Sequence, residues 1–373
     1  MKEKIRLMQI THDLAIGGLQ QVIVNICRNI DREKYDVTVL CLRELGEFVP
    51  QVEELGIKVL LLPQKEKGAD YFAFLKVAKI LKELKIDIIH THNTQPFFDG
   101  TLGAILSCVK VVIHTDHVRS FPDKLRYMFA EWLMSHYAYK VVGVSDDTCN
   151  NLIKYEHISR DKIITIVNGI DESIYRIEID KEKKKQELGI KKQGPIIGLG
   201  ARLSKQKGIT YLLQAMPSIL KELPDLTLVI AGQGYCKDEL EDEAKKIGVG
   251  SSVVFTGPRL DMPELLKLFD LFVLPSLYEG LPMVILEAMA AKCPVVATDV
   301  GGNYMAITHG VNGSLVEAAN PEALAQEVVK VLSDKVLCDN YIDSSLLRIQ
   351  TEFNSKIMTK RYEKLYQDAI PEN

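Results

Sequence analysis

Two carboxylates stand eight residues apart around the start of one predicted helix: Glu279 precedes the helix and Glu287 lies inside it. The apolar stretch Pro282–Lys292 predicts this helix, and a proline suits its first turn because the missing N–H needs no partner there. The N–H groups that follow lie at the positive end of the helix dipole, which favours a bound phosphate. A sugar nucleotide would bring its sugar to one carboxylate and its ribose hydroxyls to the other. A surface loop followed by a solvated helical glutamate is the alternative.

Two cations in an earlier loop would complete a diphosphate site. Arg202 and Lys207 lie in a polar stretch that Gly208 closes, directly after a short apolar run that predicts a strand. Arginine offers phosphate a planar fork of donors and lysine a compact charge, and both stabilise a departing diphosphate. The glycine and lysine spacing of a P-loop is absent from this stretch. A solvated basic loop is the alternative.

Glycine turns follow several other predicted strands, where backbone can approach a ligand closely. The pair Gly17-Gly18 precedes the first predicted helix, Gly232 and Gly234 flank Gln233, and Gly301-Gly302 follows a strand near the end of the second half. Thr256 ends another strand and could offer main-chain groups to a base edge. The G-x-G-x-x-G fingerprint of a dinucleotide site is not present, and plain turns explain each pair equally well.

His114 and His117 stand three residues apart at the end of a predicted strand. Two histidines can bind a metal, but no third ligand with suitable spacing is evident, so we predict no metal site. The remaining alternatives are a structural histidine and a histidine that contacts a sugar. His90 and His92 end another predicted strand and could line the same region.

Composition limits the class of protein. The chain has 373 residues, a formal net charge of −4, 47% apolar residues and 26% charged residues. This length suits two domains, and the charge argues against a general nucleic-acid binder. The seven cysteines form no Cys-x-x-Cys pair and no apolar run is long enough to span a membrane. We therefore expect a cytoplasmic protein that works in water or at the inner face of a membrane.

Short β-branched runs alternate with amphipathic segments along the whole chain, which predicts parallel sheets covered by helices. A break with Asn168-Gly169 and the basic run Lys181–Lys185 lies near residues 168–193. We interpret the basic run as a solvated helix face. The predicted strands are Arg6–Ile10, Val37–Leu42, Lys58–Leu62, Asp87–His92, Val109–His114, Lys140–Val144, Ile163–Val167, Ile196–Leu199, Thr227–Ala231, Ser252–Thr256, Leu271–Leu274 and Val295–Thr298. The predicted helices include Leu19–Asn29, Tyr71–Leu84, Lys124–Tyr137, Ile209–Glu222, Lys237–Ile247, Met262–Phe269 and Phe353–Tyr366.

One aromatic and basic segment leaves two interpretations open. The stretch Leu125–Tyr139 carries Phe129, Trp132 and Tyr137 beside Lys124 and Lys140. A helix of this composition can lie on an anionic membrane surface. A helix packed on its own sheet is the alternative.

Taken together, these stretches resemble the family 4 glycosyltransferases, which are retaining enzymes of the GT-B fold. The resemblance runs nearly end to end. It rests on Gly17-Gly18, His114-Thr115, Val144-Ser145, Val167–Asp171, Gly200–Arg202 with Lys207-Gly208, Ala231–Gly234, Pro275-Ser276, Glu279–Glu287 and Gly301-Gly302. Many members carry glutamate where this chain has Gln20, which leaves the subfamily open.

The resemblance implies two Rossmann-like, doubly wound α/β domains that face each other across a cleft. It implies an acceptor-binding domain at residues 1–170 with 354–373, and a donor-binding domain at residues 171–353. Arg202 and Lys207 would hold the diphosphate, Glu287 the ribose, and Glu279 the transferred sugar, with His114 first and His117 second as the sugar-contacting histidine. The full set of expected donor-binding residues is Gly17, Gly18, Arg202, Lys207, Gly232, Gly234, Thr256, Glu279, Gly280, Leu281, Met283, Val284 and Glu287.

The expected reaction is transfer of a hexose from a UDP or GDP sugar to an acceptor hydroxyl, with retained configuration and without a metal or other cofactor. The acceptor would be a glycan or a lipid-linked intermediate of cell-surface polysaccharide or glycolipid synthesis. Two alternatives share the architecture: a sugar-nucleotide 2-epimerase, which needs no acceptor, and a non-catalytic subunit that binds sugar nucleotides.

Overall fold

The computed structural model describes residues 4–63, 70–117 and 122–370. The chain divides into two compact units: an N-terminal unit of Met1–Gly169 with Ser355–Asn373, and a C-terminal unit of Ile170–Asn354. The division lies within one residue of each boundary expected from the sequence.

The N-terminal unit is built on a seven-stranded parallel sheet with the order β3-β2-β1-β4-β5-β6-β7. Its strands are β1 (Ile5–Thr11), β2 (Tyr35–Cys41), β3 (Lys58–Leu61), β4 (Ile88–His92), β5 (Val111–Asp116), β6 (Lys140–Gly143) and β7 (Ile163–Thr165). The helices between them are α1 (Gly18–Asn29), α2 (Val49–Glu53), α3 (Ala73–Glu83), α4 (Thr94–Ser107), α5 (Leu125–Ser135) and α6 (Asp146–Glu156).

The middle of this sheet brings polar side chains into the interior. Strands β4 and β5 are buried along their whole length, and their register pairs His90 with Ile113, Thr91 with His114 and His92 with Thr115. A strand covered on both faces normally consists of apolar residues. The buried histidines and threonines at this carboxyl end therefore need hydrogen-bond partners inside the protein.

The C-terminal unit has a six-stranded parallel sheet with the order β10-β9-β8-β11-β12-β13. Its strands are β8 (Ile196–Gly200), β9 (Thr227–Ala231), β10 (Val253–Gly257), β11 (Leu271–Leu274), β12 (Val295–Thr298) and β13 (Ser314–Val316). Its helices are α7 (Lys181–Glu187), α8 (Ile209–Glu222), α9 (Lys237–Lys246), α10 (Met262–Leu268), α11 (Met283–Ala290), α12 (Asn303–Ala306), α13 (Pro321–Ser333) and α14 (Lys335–Thr351).

The last helix, α15 (Ser355–Ala369), belongs to the N-terminal unit and packs on α1. Its buried face includes Met358, Tyr362 and Tyr366. The chain thus returns to its first domain, and it brings two tyrosines to the buried histidines.

The two parallel α/β sheets predicted from the sequence are confirmed. The predicted set did not name β13, which spans only three residues, or the helices α2, α4, α6, α12, α13 and α14. The start of α13 was readable, since Asn320 caps the helix and Pro321 occupies its first turn. Within the described residues, no helix has the length and apolar character that crossing a bilayer requires.

The basic run in α7 is not a uniformly solvated face. Lys184 is buried, and its ammonium lies within 2.9 Å of carboxylate oxygens of Asp261 and Glu264. These ion pairs tie α7 to α10 and the loop before it. The interpretation of the run as a wet surface was therefore wrong at this one position, because three acidic neighbours of Lys184 compensate its burial.

Candidate functional site

The centre of the C-terminal site is a compact group of three side chains. Oε1 of Glu279 accepts hydrogen bonds from Nζ of Lys207 and from Oγ of Ser276, both at 2.6 Å. Glu279 and Ser276 are buried, whereas the side chain of Lys207 is 17% exposed. An ammonium has three donors, so Lys207 can contact Glu279 and still offer N–H groups to a phosphate. Ser276 was noted in the sequence only as part of a motif, and the structure gives it this positioning contact.

Backbone packing holds the loop that carries Glu279. The carbonyl oxygen of Glu279 lies 1.7 Å from where a Cβ would stand on Gly301, and that of Gly280 lies 1.6 Å from the corresponding position on Gly302. The N–H of Gly302 also donates to the Glu279 carbonyl at 3.2 Å. The two glycines were expected to let a ligand pass closely. The structure shows instead that the backbone of residues 279–281 passes close to both glycines.

Helix α11 begins directly after this loop, with Pro282 before its first residue. Leu281 and Met283 are buried and Val284 is partly buried, so these residues fix the helix start by packing. Glu287 follows one turn later, and burial raises the pKa of its carboxyl to about 7. Near neutral pH this group is therefore divided between its protonated and ionised forms.

A second loop carries Arg202, which is exposed beyond the end of β8. The glycine turn after β9 supports this loop: a Cβ on Gly232 would stand 1.9 Å from the carbonyl oxygen of Ala201, and one on Gly234 would stand 2.1 Å from that of Leu203. The N–H of Leu203 donates to the Gln233 carbonyl at 2.9 Å. A cavity of about 370 Å³ opens beside the loop and is lined by Arg202, Ser204, Lys205, Gln206, Tyr235, Leu277 and Tyr278.

Three further donor contacts were expected at Thr256 in the C-terminal unit and at Gly17 and Gly18 in the N-terminal unit. The hydroxyl of Thr256 donates to the carbonyl of Gly257 at 3.0 Å, next to the glycine turn. Gly17 and Gly18 begin α1 in the N-terminal unit, where the side chain of Gln20 folds back over Gly17 and donates to Asp13 at 2.6 Å. The close approach at Gly17 is thus to the side chain of Gln20.

The N-terminal unit holds a second group, the histidine cluster, formed by His90, His92 and His117 with Gln9. Nε2 of His92 lies 2.7 Å from Oε1 of Gln9, and its Nδ1 lies 3.0 Å from Nε2 of His117. Burial lowers the pKa of His90 and of His117 to about 3 and that of His92 well below its usual value. All three rings are therefore neutral at physiological pH.

Helix α15 completes the cluster. The hydroxyl of Tyr366 lies 2.8 Å from Nδ1 of His90, and Nε2 of Gln9 donates to the same hydroxyl at 3.3 Å. Nε2 of His90 lies 2.7 Å from the hydroxyl of Thr115, which in turn lies 3.2 Å from that of Tyr362. No sequence signal connected these tyrosines to the histidines, because some 270 residues separate them along the chain.

The structure places His114 and His117 in different surroundings, and the choice between them as the sugar-contacting histidine stays a prediction. His114 is fully buried, its ring is stacked on Phe97 at 3.9 Å, and its Nδ1 lies 3.0 Å from the Thr91 hydroxyl. A sugar could reach this ring only if the core opened. His117 is also buried, with 6% of its surface exposed, but it lies just past the end of β5, where the carboxyl edge of a parallel sheet binds ligands.

Three buried acids, Asp116, Glu131 and Glu156, place ligand atoms within 4.8 Å of one another. Each of the three residues also takes part in a further interaction. An acidic cluster by itself does not define a metal site, and the prediction of a metal-free protein stays a prediction.

Comparisons with known families agree with this geometry. The profile described as Glycosyltransferase Family 4 matches residues 16–174, and the one described as Glycosyl transferases group 1 matches residues 180–346. A glycosyltransferase of Methanocaldococcus jannaschii, MJ1607, is 30% identical over 95% of both chains. An Escherichia coli relative, the UDP-Gal:alpha-D-GlcNAc-diphosphoundecaprenol alpha-1,3-galactosyltransferase, is 26% identical over 98% of both chains. This chain belongs to the family 4 glycosyltransferases.

Solved structures show the same fold. Anabaena HepE in complex with UDP and glucose superimposes with a TM-score of 0.87 at 21% identity, covering 98% of this chain and 100% of that one. WaaG, a glycosyltransferase involved in lipopolysaccharide biosynthesis, gives a TM-score of 0.76 at 20% identity, covering 96% and 99%. The predicted GT-B architecture is confirmed, and the comparisons give no support to the epimerase or the binding subunit.

Proposed function

We propose that this enzyme transfers a hexose from a UDP or GDP sugar to a hydroxyl of a glycan or lipid-linked acceptor, with retention at the anomeric carbon and without a metal. The single observation that carries the proposal is the triad of Lys207, Glu279 and Ser276 directly before α11. The E. coli relative is named for a UDP sugar and a lipid-linked acceptor, which supports the same classes here.

Charge at this site suits a departing diphosphate. The ammonium of Lys207 is held at 2.6 Å from a buried carboxylate, so its position is fixed before a ligand arrives. Arg202 and the N-terminal N–H groups of α11 would add donors to the phosphate oxygens. These donors would stabilise the negative charge that grows as the sugar–phosphate bond breaks, which is the role that a metal fills in other enzymes.

Retention follows if the acceptor attacks from the face that the diphosphate leaves. The bond between the acceptor oxygen and the anomeric carbon forms while the bond from that carbon to the phosphate oxygen breaks. The acceptor proton passes to a leaving phosphate oxygen, so no side chain has to be a strong base. Glu279 would contact the transferred sugar, Glu287 the ribose hydroxyls, and His117 a substrate hydroxyl.

A thermal-shift screen against UDP, GDP and ADP sugars tests the donor class, because a ligand of the native state raises the melting temperature. Transfer from the donor found there to simple glycosides and polyprenyl-diphosphate sugars, followed by NMR of the anomeric proton, then tests retention. We expect the configuration of the donor in the product and unchanged rates in EDTA. Inverted product, or an epimer formed without acceptor, would contradict the proposal.

The proposal also includes contact with a membrane. Exposed apolar side chains of α5 support this contact. Leu125, Phe129 and Leu133 are 81%, 61% and 45% exposed on one stripe of this helix, and the ring of Trp132 lies 5.6 Å from that of Phe129. Such a stripe is larger than scattered surface residues explain. Met128 and Met134 of the same helix are buried, so α5 packs on the protein and also exposes this stripe.

Cations beside the stripe favour an anionic bilayer. Lys124 and Arg126 are exposed at the start of α5, and Lys110 is exposed in the loop before β5, although the chain as a whole is negative. Aromatic and leucine side chains next to lysine and arginine are typical of helices that lie in a membrane interface. We place the enzyme in the cytoplasm, at the inner face of the membrane.

Vesicle flotation tests this contact. The wild type should bind vesicles that contain phosphatidylglycerol and not vesicles of phosphatidylcholine alone. Leu125→Ser with Phe129→Ser should abolish binding, whereas Val336→Ser with Leu347→Ser, which changes exposed residues of α14, should not. Loss of self-association in the first variant, without any vesicle binding by the wild type, would assign the stripe to a second copy of the chain instead.

A further inference from the structure

We propose that Gln9, His92 and Tyr366 are positioning residues that fix the tautomer of His117 and make its Nδ1 atom a hydrogen-bond acceptor for a substrate hydroxyl. The inference rests on the proposed function, in which His117 contacts such a hydroxyl. It concerns which of the two ring nitrogens carries the proton, and the hydrogen-bond chain that starts on α15 decides this.

The first link is the orientation of the Gln9 amide. The hydroxyl of Tyr366 has one proton, which we assign to the bond with Nδ1 of His90 at 2.8 Å; Nε2 of that ring then donates to the Thr115 hydroxyl at 2.7 Å. The lone pairs of the tyrosine oxygen then accept from Nε2 of Gln9 at 3.3 Å. The amide nitrogen is thereby turned toward α15, and the amide oxygen points to His92.

The second link is the direction of the hydrogen bond between His92 and His117. Oε1 of Gln9 can only accept, so Nε2 of His92, at 2.7 Å, carries the proton of that neutral ring. Nδ1 of His92 is then an acceptor, and the group that faces it at 3.0 Å is Nε2 of His117. His117 must donate from Nε2, which leaves Nδ1 with its lone pair.

This tautomer determines what His117 can recognise. Within residues 4–63, 70–117 and 122–370, Nδ1 of His117 has no hydrogen-bond partner. A neutral ring in this state accepts from a hydroxyl and cannot donate to a carbonyl or a phosphate. A ring free to change tautomer would lose that selectivity and part of its orientation.

Side-chain NMR tests the tautomer without any substrate. The chain has eight histidines, so enzyme labelled with 15N histidine gives a small set of signals, and His117→Asn identifies the signal of His117 by its loss. Two-bond and three-bond proton–nitrogen correlations distinguish the tautomers. We expect His117 protonated at Nε2 in the wild type. Protonation at Nδ1 would overturn the proposal, since it would require the opposite orientation of Gln9.

Kinetics of matched variants test the positioning role. His92→Leu removes the acceptor, and we expect kcat to fall about tenfold to a hundredfold because a misoriented group loses most of its effect, with the KM for the donor within about twofold. His92→Asn, whose amide oxygen can replace Nδ1 as acceptor, should restore both the tautomer and most of kcat. Unchanged kcat in His92→Leu would overturn the role.

A milder pair of variants distinguishes loss of the positioning role from misfolding. Tyr366→Phe deletes the hydroxyl that orients Gln9, and we expect a mixed tautomer at His117 and a smaller loss of kcat. Tyr35→Phe deletes a hydroxyl that donates to the backbone of α15 at Glu363 and should change neither. Equal effects in both variants would assign Tyr366 a structural role only. Absence of transfer from every sugar nucleotide would refute the proposed function, while the tautomer measurement still decides the hydrogen-bond chain.

Discussion

The histidine cluster of the N-terminal unit is neutral at physiological pH, whereas the region around Lys207 and Glu279 in the C-terminal unit is built from charges. Side chains from β1, β4 and α15 position the first, and close backbone contacts at glycines position the second. A neutral cluster can hold a hydrogen-bonding group in a defined direction, and a charged site can bind a diphosphate. The two regions therefore differ in the kind of ligand group that each can hold.

The two regions should also respond to pH with opposite signs. Burial places the folded pKa of His90 and His117 near 3, so the unfolded chain binds protons first and stability is lost as pH falls from about 6.5 toward 3. Burial raises the folded pKa of Glu287 to about 7, so the folded state keeps its proton longer and stability is lost as pH rises from about 4.5 to 7.

The largest effect is expected at the glycine that supports the Glu279 loop. Gly301→Ala places a Cβ 1.7 Å from the Glu279 carbonyl at a φ of +49°, and should lower the free energy of unfolding of the C-terminal unit by about 2–5 kcal/mol. Gly248→Ala is the control, because its φ is +79° but no atom lies within 4 Å. Equal losses in urea denaturation would show that backbone strain, and not the contact, is what matters.

Loss of the Lys207 charge tests the charged site directly. We expect Lys207→Ala to lower the transfer rate about tenfold to a hundredfold, because the leaving diphosphate loses a donor and Glu279 loses its partner at 2.6 Å. Steady-state kinetics at saturating acceptor measure this. Lys221→Ala, at the exposed end of α8, controls for a general change of charge. Wild-type turnover in Lys207→Ala would remove the C-terminal site from the reaction.

Acid sensitivity tests the neutral cluster. His117→Asn removes one buried imidazole and should recover about 2 kcal/mol of the stability lost between pH 7.5 and pH 5. The fluorescence of Trp132 follows the N-terminal unit alone, because it is the only tryptophan and lies in α5. His136→Asn, at an exposed position after α5, should leave the pH dependence as it is. An unchanged pH dependence in His117→Asn would mean that the cluster does not titrate as described.

Glu287→Gln is expected to give the smallest change in stability. Its dependence on pH should have the opposite sign to that of His117→Asn. The substitution removes the cost of ionising a partly buried carboxyl, so the C-terminal unit should gain about 1–3 kcal/mol at pH 8 and almost nothing at pH 4.5. Hydrogen exchange of the β8 and β11 amides measures this unit. The KM for the donor should rise at the same time if Glu287 accepts from the ribose. A gain in stability at pH 4.5 but not at pH 8 would contradict a raised pKa of Glu287 in the folded state.

The sequence predicted more of the C-terminal site than of the N-terminal one. Arg202, Lys207, Glu279 and Glu287 stood out because each lies next to a predicted strand end or helix start. The sequence could not distinguish the surroundings of His114 from those of His117, because only the tertiary structure shows that the ring of His114 is stacked on Phe97. Tyr366 lacked a signal and Ser276 was noted only within the Pro275-Ser276 motif, since neither residue type implies a site by itself.

The sequence by itself determined the two parallel α/β units and the charged loop residues, because hydrophobic periodicity and the placement of polar residues after strands are local properties of the chain. Tertiary structure decided the hydrogen-bond chain from Tyr366 to His117 and the backbone contact between Gly301 and Glu279. Both join residues distant along the chain. Their geometry depends on how strands and helices pack, which local propensity does not specify.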